Sequence, residues 1–287
     1  MKIQIAALIL TVICTMTYTE KGYAKNYDDV KMKVTKANNN VYMLQGSGGN
    51  IGVLATEDGL LLVDDQFAPL AQKIEDAMKA IAKNELKYIV NTHFHGDHTG
   101  GNTFFSDKAP IFAHKNVRER LGNQPTNKQV ALPVVTYEQG INIYLSDEEI
   151  ILSHYPAAHT DGDTAVYFKK ANVLHTGDLF FEIGFPYVDI QNGGSVKGYL
   201  TAVRKIIASM PDDVVIIPGH GKLTNKTRYI EFADMIDYSI KRVSVFISEG
   251  KTEQEILTLG IGKNYQQWSW RFINEEKWLK TLIADLK

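Results

Sequence analysis

The sequence predicts an α+β fold in which sheets pack face to face beneath outer helices. Three observations carry this reading: apolar runs of strand length are separated by turn residues, stretches of helical period interrupt them, and the succession of strands, helix and strands runs twice before a helical end. An apolar sheet face and an apolar helix stripe each need a covering layer, so this order favours a layered sandwich. No low-complexity tract or Pro/Ser-rich linker interrupts it, and residues 25–287 read as one domain behind a leader over residues 1–24.

The leader has a positive start at Met1-Lys2, an apolar stretch from Ile3 to Cys14, and small residues two apart in Gly22-Tyr23-Ala24. That is the pattern of a signal peptide. Its apolar run of about a dozen residues falls short of the roughly 20 that a bilayer crossing needs. Cys14 lies inside the run, behind the bulky Ile13, which argues against lipid attachment. The expectation is a periplasmic or secreted protein with no membrane association once the leader is removed. Cys14 is also the only cysteine. Without it the chain has no thiol nucleophile, disulfide or cysteine ligand, so any chemistry must come from His, carboxylates, hydroxyls or a metal.

From Val30 to Asp64 the chain reads as short antiparallel strands. Val41–Leu44, Ile51–Leu54 and Leu60–Val63 are apolar runs separated by Asn38-Asn39-Asn40, a glycine-rich turn over residues 46–50, and Asp58-Gly59. Over residues 69–83 the period changes: Leu70, Ile74, Ala77, Met78 and Ile81 recur three and four apart, an amphipathic helix opened near Pro69. Short strands are expected at Tyr88–Val90, Ile111–Ala113, Ile141–Leu145, Ile150–His154, Ala165–Phe168 and Val173-Leu174. A helix over Val196–Met210 precedes a strand at Val214–Ile217. From Lys226 onward the pattern is mainly helical, with Leu279, Leu282, Ile283 and Leu286 on one side of the last helix.

Composition narrows the function classes. The 287 residues are 44% hydrophobic and 22% charged, with 31 Lys plus Arg against 33 Asp plus Glu and a formal net charge of −2. Those are the proportions of a soluble globular chain, not of a disordered, fibrous or disulfide-stapled one. A near-neutral balance gives no electrostatic footprint for nucleic acid. Nothing in it speaks to oligomeric state.

Three of the eight histidines fall within six residues, in Thr92-His93-Phe94-His95-Gly96-Asp97-His98. After an extended segment, side chains two apart project the same way, so His93 and His95 can point together. A sharp bend at Gly96 would then bring Asp97 and His98 near the first pair. Imidazole and carboxylate are donors that zinc accepts. Three later segments have the same character, each with a potential ligand beside glycine at a strand end: His159-Thr160-Asp161-Gly162, Thr176-Gly177-Asp178 and Pro218-Gly219-His220-Gly221.

The run His93-x-His95-x-Asp97-His98, followed in order by His159, Asp178 and His220, resembles the metallo-β-lactamase superfamily from about Val30 to about Tyr229. The resemblance implies a four-layer αβ/βα sandwich of two mixed β-sheets with metals at one edge. It implies that His93, His95 and His159 hold one metal, that Asp97, His98 and His220 hold another, and that Asp178 bridges both. Asp64 matches the family's early aspartate, which supports the metal site from behind. Where many relatives have glycine two residues later, this chain has Gln66, a difference that bears on loop shape. Asp178 stands where cysteine-using β-lactamases place a thiolate, and is instead similar to the pattern of glyoxalase II and lactonases.

Two zinc ions in such a site would supply hydroxide near neutral pH, with Asp97 binding metal and orienting the nucleophile. The expected activity is hydrolysis of a cyclic amide or ester in a small, anionic substrate, β-lactam hydrolysis leading. A lactonase, a thioesterase like glyoxalase II, and an iron-dependent oxidoreductase on the same scaffold are the alternatives, because the same donors suit iron. His114 and His154 match no motif and are read as structural. His175 adjoins Asp178, leaving a hydrogen bond toward the site or simple packing. Trp268, Trp270 and Trp278 are read as helix packing, and Phe181, Phe185 and Tyr187 as candidates for a substrate wall.

Overall fold

The computed structural model describes residues 26–123 and 131–287; the leader expected over residues 1–24 lies outside them. Four antiparallel strands open the fold: β1 (Lys33–Asn38), β2 (Val41–Gln45), β3 (Ile51–Thr56) and β4 (Gly59–Val63). The same sheet continues in parallel through β5 (Leu86–Val90), β6 (Ile111–His114) and β7 (Val135–Tyr137). Parallel neighbours need a crossover. Helix α1 (Ala71–Ile81) crosses from β4 to β5, α2 (Gly96–Thr99) and α3 (Asn102–Phe105) lie between β5 and β6, and α4 (Lys115–Gly122) follows β6.

A second sheet holds β8 (Gly140–Leu145), β9 (Glu148–His154), β10 (Thr164–Phe168), β11 (Val173–His175), β12 (Val215–Ile217) and β13 (Thr224–Asn225), in the spatial order β13-β12-β11-β10-β9-β8. Its one parallel pair, β11 with β12, is joined by α5 (Val196–Ser209). Helices α6 (Lys226–Ser248), α7 (Glu253–Leu259) and α8 (Glu275–Leu286) complete the chain. Among the described residues no helix is long and apolar enough to cross a membrane.

Strand alternation builds the layers. Leu61 and Val63 of β4 face Leu152, Val166 and Phe168 of the second sheet in the central core. Leu60 and Leu62 point the other way, against Ile74 and Met78 of α1. β4 is therefore apolar along its whole length because both of its faces are covered. Across the molecule, Ala165, Leu174 and Ile216 turn outward to Val203 and Ile206 of α5 and to Phe232 and Ile236 of α6. Each fully buried Leu, Ile or Phe contributes about 1.5–3 kcal/mol by leaving water. The result is the expected αβ/βα sandwich of two mixed sheets.

Of the unpredicted elements, β7, β13, α2 and α3 span two to four residues each, too few for a periodic signal, while α4 is longer but mostly polar. Gly96 also behaves differently from the expected sharp bend. It opens α2 in ordinary helical backbone, with His95 as the preceding cap residue. The His-rich run winds into a helical turn, and that turn is what swings Asp97 and His98 round.

Candidate metal centre

All seven predicted residues meet at one edge of the sandwich, on loops that leave the ends of strands from both sheets. Their donor atoms form two groups, each within 4.8 Å: His93, His95, His159 and Asp178, and beside them Asp97, His98 and His220. Asp178 stands between the groups. Its Oδ2 lies 3.8 Å from His93 Nε2 and 3.5 Å from His159 Nε2, and its Oδ1 lies 3.1 Å from His98 Nε2 and 3.3 Å from His220 Nε2. Asp97 closes the second group, with Oδ2 3.4 Å from His220 Nε2.

Four of the imidazoles are fixed through the nitrogen that faces away from the centre. His98 Nδ1 donates to Asp64 Oδ2 at 2.7 Å, and His159 Nδ1 donates to the Tyr187 carbonyl at 2.8 Å. Thr92 Oγ1 donates to Asp64 Oδ2, so it accepts from His93 Nδ1 at 3.0 Å. His95 is turned over: its Nε2 donates to Asp189 Oδ2 at 3.0 Å, and its Nδ1 lies 2.9 Å from His159 Nε2. Such outer partners set the tautomer and the ring orientation of metal-binding histidines.

The donor set fits a divalent cation. His93 Nε2, His98 Nε2 and Asp178 Oδ1 are buried polar atoms outside any well-formed hydrogen bond, the last two facing each other at 3.1 Å. Leaving such a group unsatisfied costs about 1–3 kcal/mol each, and here three of them face one space. Charge makes the same demand. Burial alone would raise the Asp178 carboxyl, but His220 and His98 outweigh it and hold it well below the usual range. Burial likewise opposes charge on His98, yet the carboxylates of Asp178, Asp97 and Asp64 hold it well above an ordinary histidine. His220 is pushed up to about 9 against its burial, chiefly by Asp178. The carboxylates call for positive charge at the centre, which protons or metal ions can supply.

The backbone beneath the centre is strained. Asp64 and Gln66 both adopt left-handed conformations, at φ +62° and +53°, which non-glycine residues enter only when surroundings impose them. Asp64 is held by Thr92 N and Oγ1, each at 2.8 Å. The Gln66 side chain shows what replaces the family's glycine: its Nε2 donates to the Gly49 carbonyl at 2.5 Å and its Oε1 accepts from Ser47 N. It ties down the 46–50 loop. That loop runs so close to His98 that a Cβ on Gly49 would overlap the imidazole ring.

Several supporting residues lie beyond what sequence reasoning found. Asp189 carries no motif and shows its role only through its bond to His95. Tyr199 Oη donates to the Asp178 carbonyl at 2.6 Å and Tyr229 Oη to the Leu179 carbonyl at 3.0 Å, so two buried tyrosines hold the Asp178 turn from below. Their sequence signal, a place on an apolar helix stripe, is that of ordinary core. His175 braces the turn that carries Asp178 without bonding its carboxylate, donating from Nε2 to the Asn50 carbonyl and accepting from Gly177 N through Nδ1. His114 and His154 stack on each other at 3.7 Å, away from the site.

Beside the donors opens a cavity of about 630 Å³, with Gly96, Asp97, Asp178 and His220 on its polar side. Phe181 and Tyr187 line it as expected. Phe185 does not: it is fully buried and stacks on Trp278. Trp270, expected to pack in the interior, lines the cavity instead, together with Phe272 and Phe67.

A layered αβ/βα sandwich with a His/Asp cage at one sheet edge defines a class of metal-dependent hydrolases. Residues 44–220 match the family model of the metallo-beta-lactamase superfamily. The chain belongs to that superfamily and is a metallo-hydrolase. It is 25% identical to the probable metallo-hydrolase YqgX of Bacillus subtilis over 190 residues, covering 61% of this chain and 89% of that protein. It is 26% identical to a hydroxyacylglutathione hydrolase of Pelagibacter ubique over 202 residues, covering 67% and 72%. The solved metallo-beta-lactamase from Pontibacter korlensis superposes with a TM-score of 0.63 at 17% identity, over 72% of this chain and 99% of that one.

Proposed function

We propose that this protein is an exported, dinuclear zinc hydrolase that opens a cyclic amide or ester, with a β-lactam as the leading substrate. One observation supports it most directly: Asp178 turns a different carboxylate oxygen toward each of two donor groups, as a bridging ligand between two ions would. His93, His95 and His159 would hold one zinc and Asp97, His98 and His220 the other. Bound there, the ions supply the Lewis acidity and the acidified water that acyl hydrolysis needs.

The chain's own side chains do the rest. Asp97, on the floor of the cavity and partly open to solvent, orients the attacking water and holds its proton. Asp64 and Asp189 keep His98 and His95 aimed inward. Two divalent ions outweigh the two carboxylates that would ligate them, Asp97 and Asp178, so the open face of the centre attracts an anionic group on the substrate.

A second reading, thioester hydrolysis, is favoured by the bridging aspartate and by the hydroxyacylglutathione hydrolase relative. The discriminating experiment purifies the protein with its metal, counts the ions by mass spectrometry, and assays a β-lactam, a lactone and a thioester side by side with oxygen uptake. Two zinc ions per chain and preferential β-lactam opening are expected. Thioester turnover alone would select the second reading. Bound iron with oxygen consumption would overturn both.

A further inference from the structure

The wall of the cavity opposite its polar floor is aromatic, and part of it comes from outside the matched family region. Trp270 and Phe272 stand on the 265–274 segment between α7 and α8, well beyond residue 220. Their rings lie 5.7 Å apart; Trp270 is 6.0 Å from Phe181, and Phe272 is 5.6 Å from Tyr187. Trp270 also sits 6.1 Å from the His220 ring, so the wall begins where the donor cluster ends.

The segment is fastened in this position. Trp270 Nε1 donates to the Phe185 carbonyl at 2.9 Å, and Phe185 N donates to the Trp268 carbonyl at 2.8 Å. Gly184 permits the approach, because a Cβ there would overlap the Trp268 carbonyl and lie 2.5 Å from Trp270 Cδ1. Phe272 remains 49% exposed although it is a large apolar side chain beside a cavity. None of the described residues lining the cavity is Lys or Arg. Among the described lining residues the attraction for an anion is therefore at the metal centre, and the far wall presents ring faces, with Lys277 Nζ outside the lining at 5.2 Å from the Phe272 ring.

From this arrangement we propose that the 265–274 segment is the specificity element of the enzyme. Trp270 and Phe272 bind an uncharged aromatic substituent of the substrate, while its reacting carbonyl faces Asp97 and Asp178. The inference rests on the hydrolase reading above and adds the chemistry of the substituent. A flat ring stacked against two or three aromatic side chains gains affinity from burial and from edge or face contact. That gain is present in both the ground state and the transition state, so it belongs in KM more than in kcat.

The test compares two β-lactams that differ only in bearing a phenylacetyl or an acetyl side chain, with wild type, Trp270→Leu and Phe272→Ala. Phe272 is half exposed, so its truncation leaves the core intact. Wild type should show a KM about tenfold lower for the phenylacetyl compound, and each variant should lose most of that preference. Quenching of tryptophan fluorescence by phenylacetamide, but not by acetamide, gives a readout that needs no turnover; it should vanish in Trp270→Leu. A preference retained in both variants, or no quenching in wild type, would overturn the inference. Quenching that depends on Trp270 without hydrolysis of either compound would uphold the aromatic wall and remove the β-lactam reading instead.

Discussion

Each histidine of the centre has two nitrogens, and the structure gives them separate tasks. Asp189 illustrates the consequence. It fixes the flipped ring of His95 and is itself held by Asn192 Nδ2 at 2.6 Å. Asp189→Asn should weaken metal binding about 10–100-fold, measured by competition with a chromophoric chelator; an unaltered affinity would remove Asp189 from the site. Asp97→Ala should cut kcat by at least about 100-fold while the circular dichroism spectrum stays native, and full turnover would rule out its assigned role. His220→Ala should empty one ion before the other in a metal titration, since His220 belongs to only one donor group. The candidate ligands were legible in the sequence because a dense local run and glycine-flanked strand ends follow one another in the order of a known family. Asp189 was not, since its partner lies 94 positions away and no local pattern marks it.

Among the elements, α4 carries a pH-sensitive start. His114 caps it, accepting from Asn116 N through Nδ1 and donating from Nε2 to the Glu138 carbonyl, an arrangement only the neutral ring can make. Burial first, and the stacked His154 second, lower His114 from 6.5 to about 4. The unfolded chain takes up a proton near pH 6.5 while the folded chain resists it until about 4. Stability should therefore be level above that window and fall as pH drops through it. Urea midpoints at pH 7 and pH 5 would show the loss, and His114→Asn, which keeps a capping side chain, should reduce it. The long periodic helices α1, α5 and α8 could be read from spacing alone, and α1 lies within the predicted 69–83 stretch. α4 could not: its residues are mostly polar, and its start depends on a histidine read only as structural.

At the scale of the whole molecule, the donor residues hang from strands of two separate sheets, with Asp64 and His93 following β4 and β5 and Asp178 and His220 following β11 and β12. Metal held there would tie the two halves of the sandwich together. Chelation should lower the thermal midpoint by at least about 5 °C, and readdition of zinc should restore it; a midpoint indifferent to chelator would contradict a centre shared by both sheets.

By itself the sequence determined the main strands and helices and their layered packing, because hydrophobic period is a property of short stretches, and it marked seven candidate donors through a clustered His run and a family resemblance. Only the tertiary structure decided that the seven converge, that Asp189 backs His95, and that His175 reaches only the backbone beside Asp178. It also decided that Trp270, not Phe185, faces the substrate cavity. Those outcomes depend on which distant segments pack against each other, and alternation along a strand or helix says which residues share a face but not what that face will meet.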